Sequence, residues 1–267
     1  MYLHQYIIAT TALFVFGVSS SNAEVGPNQN PIRSFITVPF KTTFDRGALN
    51  GSGTILRVMP IVESTVDDWN LFHRAIIPIS RVDGAIVGPD NPSPAQGGSA
   101  SGLGDINYTL LFSPKNYDTF IWGVGPTITM PSANSDQLGS GKWSTGIAGM
   151  VLTDTGWGNL AVRARQIWSF SGDSKRRDVS QMVIEPIVTY NMGDGWHLFT
   201  DMIISANWKA NNNNRWIVPL GGGFGRSFKI GNQRILSRLE AYYNVEKPEG
   251  ASDYSVSFTI QFVFPTY

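Results

Sequence analysis

Ionisable side chains in this sequence fall on one phase of an alternating pattern. Arg163 and Arg165 are two residues apart. Lys41, Arg57, Arg74, Asp105, Glu185, Asp201, Arg238 and Glu240 likewise sit opposite the apolar positions of their segments. A two-residue period puts such groups on one face of a strand. Charges of both signs gathered on one face have two uses. They can fill an interior as an ion-pair network, or they can line a polar path that reads the charge of a solute. Catalytic arrangements are harder to find. There is no G-x-S-x-G, no P-loop and no H-E-x-x-H, and Gly139-Ser140-Gly141-Lys142 lacks the spacing and the following Ser/Thr of a phosphate loop. His73 falls on the apolar phase. A histidine there beside a serine would suit an exterior lipid-hydrolysing site, but no Asp, Glu or Asn is placed to orient it. His197 is expected beside a turn, in contact with interfacial water. Beyond the first two dozen positions, which hold His4, these are the only two histidines, and cysteine is absent, so neither a metal centre nor a thiol nucleophile is expected. The chain therefore reads as a non-enzyme without a cofactor.

Composition narrows the setting in which these groups act. The 267 residues carry 20 Lys+Arg and 20 Asp+Glu, a formal net charge of +0, which removes the basic field of a nucleic-acid binder. Only 15% of residues are charged, whereas 12% are aromatic and 28 are glycine. Mean hydropathy is −0.07, and beyond the first two dozen positions no apolar run approaches the ~18 residues a membrane helix requires. Few charges, many aromatics and no hydrophobic helix suit a membrane β-barrel, in which alternation dilutes the apolar residues. The early run Ile7–Val18 followed by Ser21-x-Ala23 has the length and small-residue ending of a signal peptide, although Lys and Arg are missing ahead of it. Residues 1–23 are expected to be a cleaved leader and residues 24–267 the barrel domain.

The elements that must hold the charged face are strands. In the last segment Tyr254, Val256, Phe258, Ile260, Phe262 and Phe264 alternate with Ser255, Ser257, Thr259 and Gln261. The pattern predicts twelve strands, at 33–44, 53–63, 69–82, 102–113, 119–131, 142–153, 159–170, 180–192, 196–209, 215–229, 233–246 and 254–264. Each is long enough to cross a bilayer obliquely. An even number puts both termini on one side and lets the first and last strands pair. Connections alternate short and long, as periplasmic turns and external loops do, and Asp194-Gly195 and Gly231-Asn232 suit tight hairpins. Trp69, Trp122, Trp157 and Trp196 fall at one set of strand ends, and Trp143, Trp168, Trp208 and Trp216 at the other, as two interfacial belts should. The fold class is thus an all-β, transmembrane, antiparallel barrel. Pro39, Pro60, Pro78, Pro126, Pro186 and Pro219 interrupt strands and predict bulges or kinks in the wall, local bending being favoured over a sideways opening.

Parity turns Arg57, Arg74, Asp105, Arg163, Arg165, Glu185, Asp201, Arg238 and Glu240 inward, together with Lys41. The same charges facing lipid at mid-depth would cost about 2–4 kcal/mol each. Twelve strands lie between a filled barrel and an open one, so the lumen is either a narrow path or a plugged core. Gly123 and Gly125 face inward, whereas the phase is expected to slip across Gly221, Gly222, Gly223 and Gly225, so Arg226 is assigned to no face. The Gly-, Pro- and Ser-rich loop 83–101 is expected outside and mobile, with inward folding as the alternative.

Several pieces carry a family resemblance. They are Ser101-Gly-Leu-Gly-Asp-Ile-Asn-Tyr108 leading to Phe112-Ser-Pro114, Trp122-Gly-Val-Gly-Pro126 with Met130-Pro131, and Leu138-Gly-Ser-Gly-Lys-Trp-Ser144. Trp168-Ser-Phe-Ser-Gly-Asp173, Trp216-Ile-Val-Pro-Leu-Gly-Gly-Gly223 and Tyr243-Asn-Val245 before Lys247-Pro248 complete the set. Together, from about residue 33 to the end, they resemble the bacterial outer-membrane β-barrels labelled "putative meta-pathway phenol-degradation transporter", some of which are misnamed neuromedin U. The resemblance implies a Gram-negative outer-membrane channel or passive facilitator for small organic solutes, aromatic or hydrophobic ones among them. It transfers no catalytic or ligand residues. Outer-membrane lipid, the barrel-assembly machinery during biogenesis and a small solute are the expected partners. A closed structural or surface-interaction barrel is the alternative function, with an exterior-face lipid enzyme behind it.

Overall fold

The computed structural model describes residues 35–49, 51–95, 97–116 and 119–265. The expected leader at 1–23 lies outside the described residues. Fifteen strands follow in order: β1 (Phe35–Ala48), β2 (Gly51–Val58), β3 (Ile61–Val66), β4 (Trp69–Asp83), β5 (Ala100–Leu103), β6 (Ile106–Pro114), β7 (Ile121–Met130), β8 (Lys142–Asp154), β9 (Gly158–Gly172), β10 (Ser180–Gly193), β11 (Trp196–Asp201), β12 (Ile204–Asn207), β13 (Trp216–Ile230), β14 (Gln233–Glu246) and β15 (Tyr254–Pro265). β2 resumes as β3, β5 as β6 and β11 as β12 after two residues each, so the wall has twelve staves. All neighbours are antiparallel, and β1 pairs with β15 from Phe35↔Pro265 to Arg46↔Tyr254, closing the barrel. Among the described residues no helix is long and apolar enough to cross a membrane; the chain crosses with strands.

The prolines account for the interruptions, because each removes a ladder donor. Pro60 lies in the first break. Pro78 of β4 faces the second, where its carbonyl accepts from Gly104 N at 2.8 Å. Pro186 of β10 faces the third, since pairing stops at Ile187↔Asp201 and resumes at Ile184↔Ile204. Pro126 coincides with the gap between Thr109↔Thr127 and Phe112↔Val124. Pro39 stays in register opposite Gln261, and Pro219 begins a register shift against β14. The widest ladder gap separates β11 and β12 from β13, between Phe199↔Gly223 and Ser205↔Ile217. Two side chains tie the wall together there. Thr200 Oγ1 donates to the Gly221 carbonyl at 2.9 Å, and Asp201 N donates to the Tyr242 hydroxyl at 2.8 Å.

Strand faces are inverted relative to a water-soluble sheet. Ile147 is 61% exposed and Phe170 62%, whereas Gln261 is 1% and Thr189 0%. The outer apolar face belongs against lipid and the polar phase against the barrel axis. Seven of the eight tryptophans are among the exposed large side chains, and at the two rims Trp69 packs edge-on to Trp122 and Trp208 to Trp216. Asp194 and Gly195 have φ of 49° and 77°, the paired left-handed geometry of a type I′ hairpin. The connection expected at 45–52 is shorter, because β1 and β2 stay paired through Asp45↔Gly53.

Candidate functional site: a charged chamber under an inward-folded loop

The loop after β4 does not stay outside. Its residues 87–93 descend into the barrel, where Asn91 is 8% exposed. The Asp90 carboxylate meets Arg57 of β2 at 2.7 Å (Nε) and 2.6 Å (Nη2). The carbonyl of Pro89 accepts from Gln181 Nε2 of β10 at 3.2 Å. In the closed strand order β2 and β10 are six staves apart in either direction, so residues 89–90 span the lumen from wall to opposite wall. Asn207 Nδ2 of β12 donates to the Pro92 carbonyl at 3.1 Å, Asn91 Nδ2 to the Gln137 carbonyl at 3.1 Å, and Val87 N to the Gly250 carbonyl at 3.2 Å. A polar interior explains the inward folding. Backbone carbonyls of a Pro-rich loop need donors, and inward-facing Gln and Asn side chains supply them. Composition indicated mobility because it carries no information about those distant donors.

Two chambers meet at this loop and share Arg57, Pro89, Asp90 and Asp201 in their linings. The inner one, on the side away from the long loops, brings together eight of the nine residues singled out from the sequence: Arg57, Arg74, Arg163, Arg165, Glu185, Asp201, Arg238 and Glu240. Arg163 Nη2 bridges Glu185 at 2.5 Å and Asp201 at 3.5 Å, while Lys41 pairs with Glu240. The ninth, Asp105, stands apart. Its carboxylate accepts from Ser140 N at 2.6 Å, Ser140 Oγ at 2.7 Å and Ala133 N at 3.3 Å. It therefore anchors the loop 131–141 instead of offsetting the arginines across the lumen. The break after Leu103 turns Asp105 towards those donors.

Glycine makes room for the charged side chains. Pairing sets Gly221, Gly223 and Gly225 opposite Tyr242, Glu240 and Arg238. A Cβ on Gly225 would lie 2.5 Å from His197 Nε2 and 2.8 Å from Arg238 Cγ. The long side chains of β14 thus lie over bare backbone of β13. The phase does not slip here: Ile217, Gly225 and Ser227 are all buried, and Arg226 faces outward with its guanidinium 5.2 Å from the Trp196 ring centre. His197 is 0% exposed and points inward. Its Nε2 receives Arg238 Nε at 3.3 Å, so it does not meet interfacial water as its position beside a turn suggested.

His73 is on the outer face as expected. Its Nε2 lies 3.1 Å from Ser64 Oγ and its Nδ1 2.7 Å from the Tyr108 hydroxyl. Nucleophile activation needs a third group that stabilises an imidazolium, ordinarily a carboxylate. Here that position holds a phenol, and the row satisfies three polar groups at a lipid-facing surface. No group of residues able to hold a metal occurs among the described residues.

Towards the short turns the interior is packed. Leu152, Leu236, His197, Gln261 and Thr189 are each less than 2% exposed, and Ile61, Phe72, Leu111, Ile121 and Met150 form an apolar cluster. Strict alternation hides these inward apolar residues, because parity fixes the face but not the polarity found on it.

Residues 28–244 match the family described as "Putative MetA-pathway of phenol degradation". No curated protein matches the sequence. Among solved structures, an outer membrane channel from Pseudomonas putida F1 superimposes with a TM-score of 0.61 at 16% identity, covering 92% of this chain and 100% of the other. The NanC porin gives 0.50 at 13% identity, covering 86% and 100%. At these identities the likeness is one of fold.

Proposed function

The chain belongs to the phenol-degradation family named above, and on that premise we propose that it is an outer-membrane channel or passive facilitator for small organic solutes, including aromatic ones. Residues 24–267 form the exported barrel and residues 1–23 its leader. The observation that carries the reading is the pair of chambers meeting at the Asp90–Arg57 bridge, with charged groups of both signs lining the inner one. Arg57, Arg74, Arg163, Arg165, Glu185, Asp201, Arg238 and Glu240 line the path, and Asp105 holds its external mouth. No energy source is needed, because the solute moves down its gradient.

Packing at the short-turn half makes the pathway narrow, so a small conductance is expected. The test is single-channel recording in planar bilayers. Current through the parent chain supports the reading, and no current at any voltage overturns it. Asp90→Ala removes the ion pair that pins the loop and is expected to raise the conductance. An unchanged value would show that backbone contacts alone hold the loop. The packed half also favours a second reading, a closed barrel whose external loops meet a partner, and the same absence of current would favour it.

A further inference from the structure

We propose that the inner chamber is a binding site for a small organic carboxylate, in which Arg74, Arg165 and Arg238 receive the anion. This rests on the channel reading for how the solute arrives and leaves, but the site itself stands on its own geometry.

The charges do not balance. Six cations line the chamber (Lys41, Arg57, Arg74, Arg163, Arg165 and Arg238) against four carboxylates (Asp90, Glu185, Asp201 and Glu240), an excess of two positive charges in a chain whose net charge is +0. Pairing sharpens the imbalance. Lys41 takes Glu240, Arg57 takes Asp90, and Arg163 takes both Glu185 and Asp201. Every carboxylate has a direct cationic partner, and three guanidiniums have no carboxylate within ion-pair distance.

Their hydrogen-bond partners are neutral. Arg74 Nη2 points at Met59 Sδ from 4.0 Å, Arg165 Nη1 donates to Asn107 Oδ1 at 3.1 Å, and Arg238 Nε meets His197 Nε2 at 3.3 Å. Arg238 also lies over the Phe199 ring, 4.5 Å from its centre, and is 8% exposed. Buried donors are left over: Arg74 Nε, Arg165 Nε and Arg238 Nη2 have no hydrogen-bond partner among the described residues. An arginine fork matches a carboxylate in geometry, and such charge-assisted bonds are about twice as strong as neutral ones.

The rest of the lining says what the anion is attached to. Met59, Ile61, Ile76, Val183, Ile187 and Ile203 share the chamber with the arginines. Apolar walls with a few convergent charges suit a ligand with an apolar body and one charged end. An arylcarboxylate has that form. A neutral phenol or hydrocarbon would leave the arginines unmatched, and a cation would be repelled.

Binding is measurable without conduction. The parent chain, refolded in detergent micelles, is titrated with 4-fluorobenzoate and with its neutral isostere 4-fluorobenzamide, and ¹⁹F NMR line broadening is read against empty micelles. The expected result is saturable broadening for the carboxylate only. Arg74→Gln/Arg165→Gln should weaken it at least about tenfold, and Arg165→Lys should lose less. Heat-modifiable electrophoretic migration checks that each variant is folded. If a variant fails that check, the comparison of the two probes on the parent still decides. Equal broadening by both probes, or none by the carboxylate, overturns the proposal. Carboxylate binding without bilayer current would keep the site and overturn the channel; current without carboxylate preference would do the reverse.

Discussion

At the scale of single residues, position along the lumen matters less than partnership. Arg163 and Arg165 project from the same face of β9, yet Arg163 pairs directly with Glu185 and Asp201 while Arg165 hydrogen-bonds to the neutral Asn107. Reversing both charges changes the chamber by four units, from an excess of two positive to an excess of two negative. Arg163→Glu with Arg165→Glu should therefore shift ion selectivity towards cations, read as a change in sign of the reversal potential under a salt gradient. Unchanged selectivity would remove both residues from the path. The inward placement of these residues was legible in the sequence because alternation is a local property. Asp90 was not, because its role depends on Arg57, 33 positions earlier.

At the scale of elements, β13 shows how a strand can serve its neighbour. Its glycines contribute no packing of their own and allow the Arg238, Glu240 and Tyr242 side chains to cross the lumen face of the wall. Gly225→Val would drive two methyl groups into a space already held by His197 and Arg238. Overpacking of this kind costs about 1–3 kcal/mol, so the variant should lose its heat-modifiable migration at a lower temperature than the parent. Equal thermal stability would show that His197 can move aside. The ends of strands and the hairpins at Asp194-Gly195 and Gly231-Asn232 were readable from residue type. The breaks at 59–60, 104–105 and 202–203 were readable only in part. Pro60 marks one directly, whereas Pro78 and Pro186 mark breaks in the strands beside them.

At the scale of the molecule, the barrel is a cylinder with its apolar surface outside. Tryptophans at both rims should be quenched by lipids brominated near the headgroup more strongly than by lipids brominated at the chain ends, since indole prefers the interface. The reverse order would place the rings at the bilayer centre and overturn the assignment of the two belts. Closure through β1 and β15 pairs the first strand with the last, as a spanning sheet requires.

The sequence by itself determined the twelve staves, the inside and outside of the strands other than the glycine-rich β13, and the two rims, because a period of two and the positions of Trp, Gly and Pro act within a few residues of each other. Only the tertiary structure decided that residues 87–93 enter the barrel, that Asp105 serves a loop, that three arginines have no direct ion pair, and that the short-turn half is filled. Those outcomes depend on which side chains face one another across the lumen, and closing the cylinder, not the local pattern, brings them within reach.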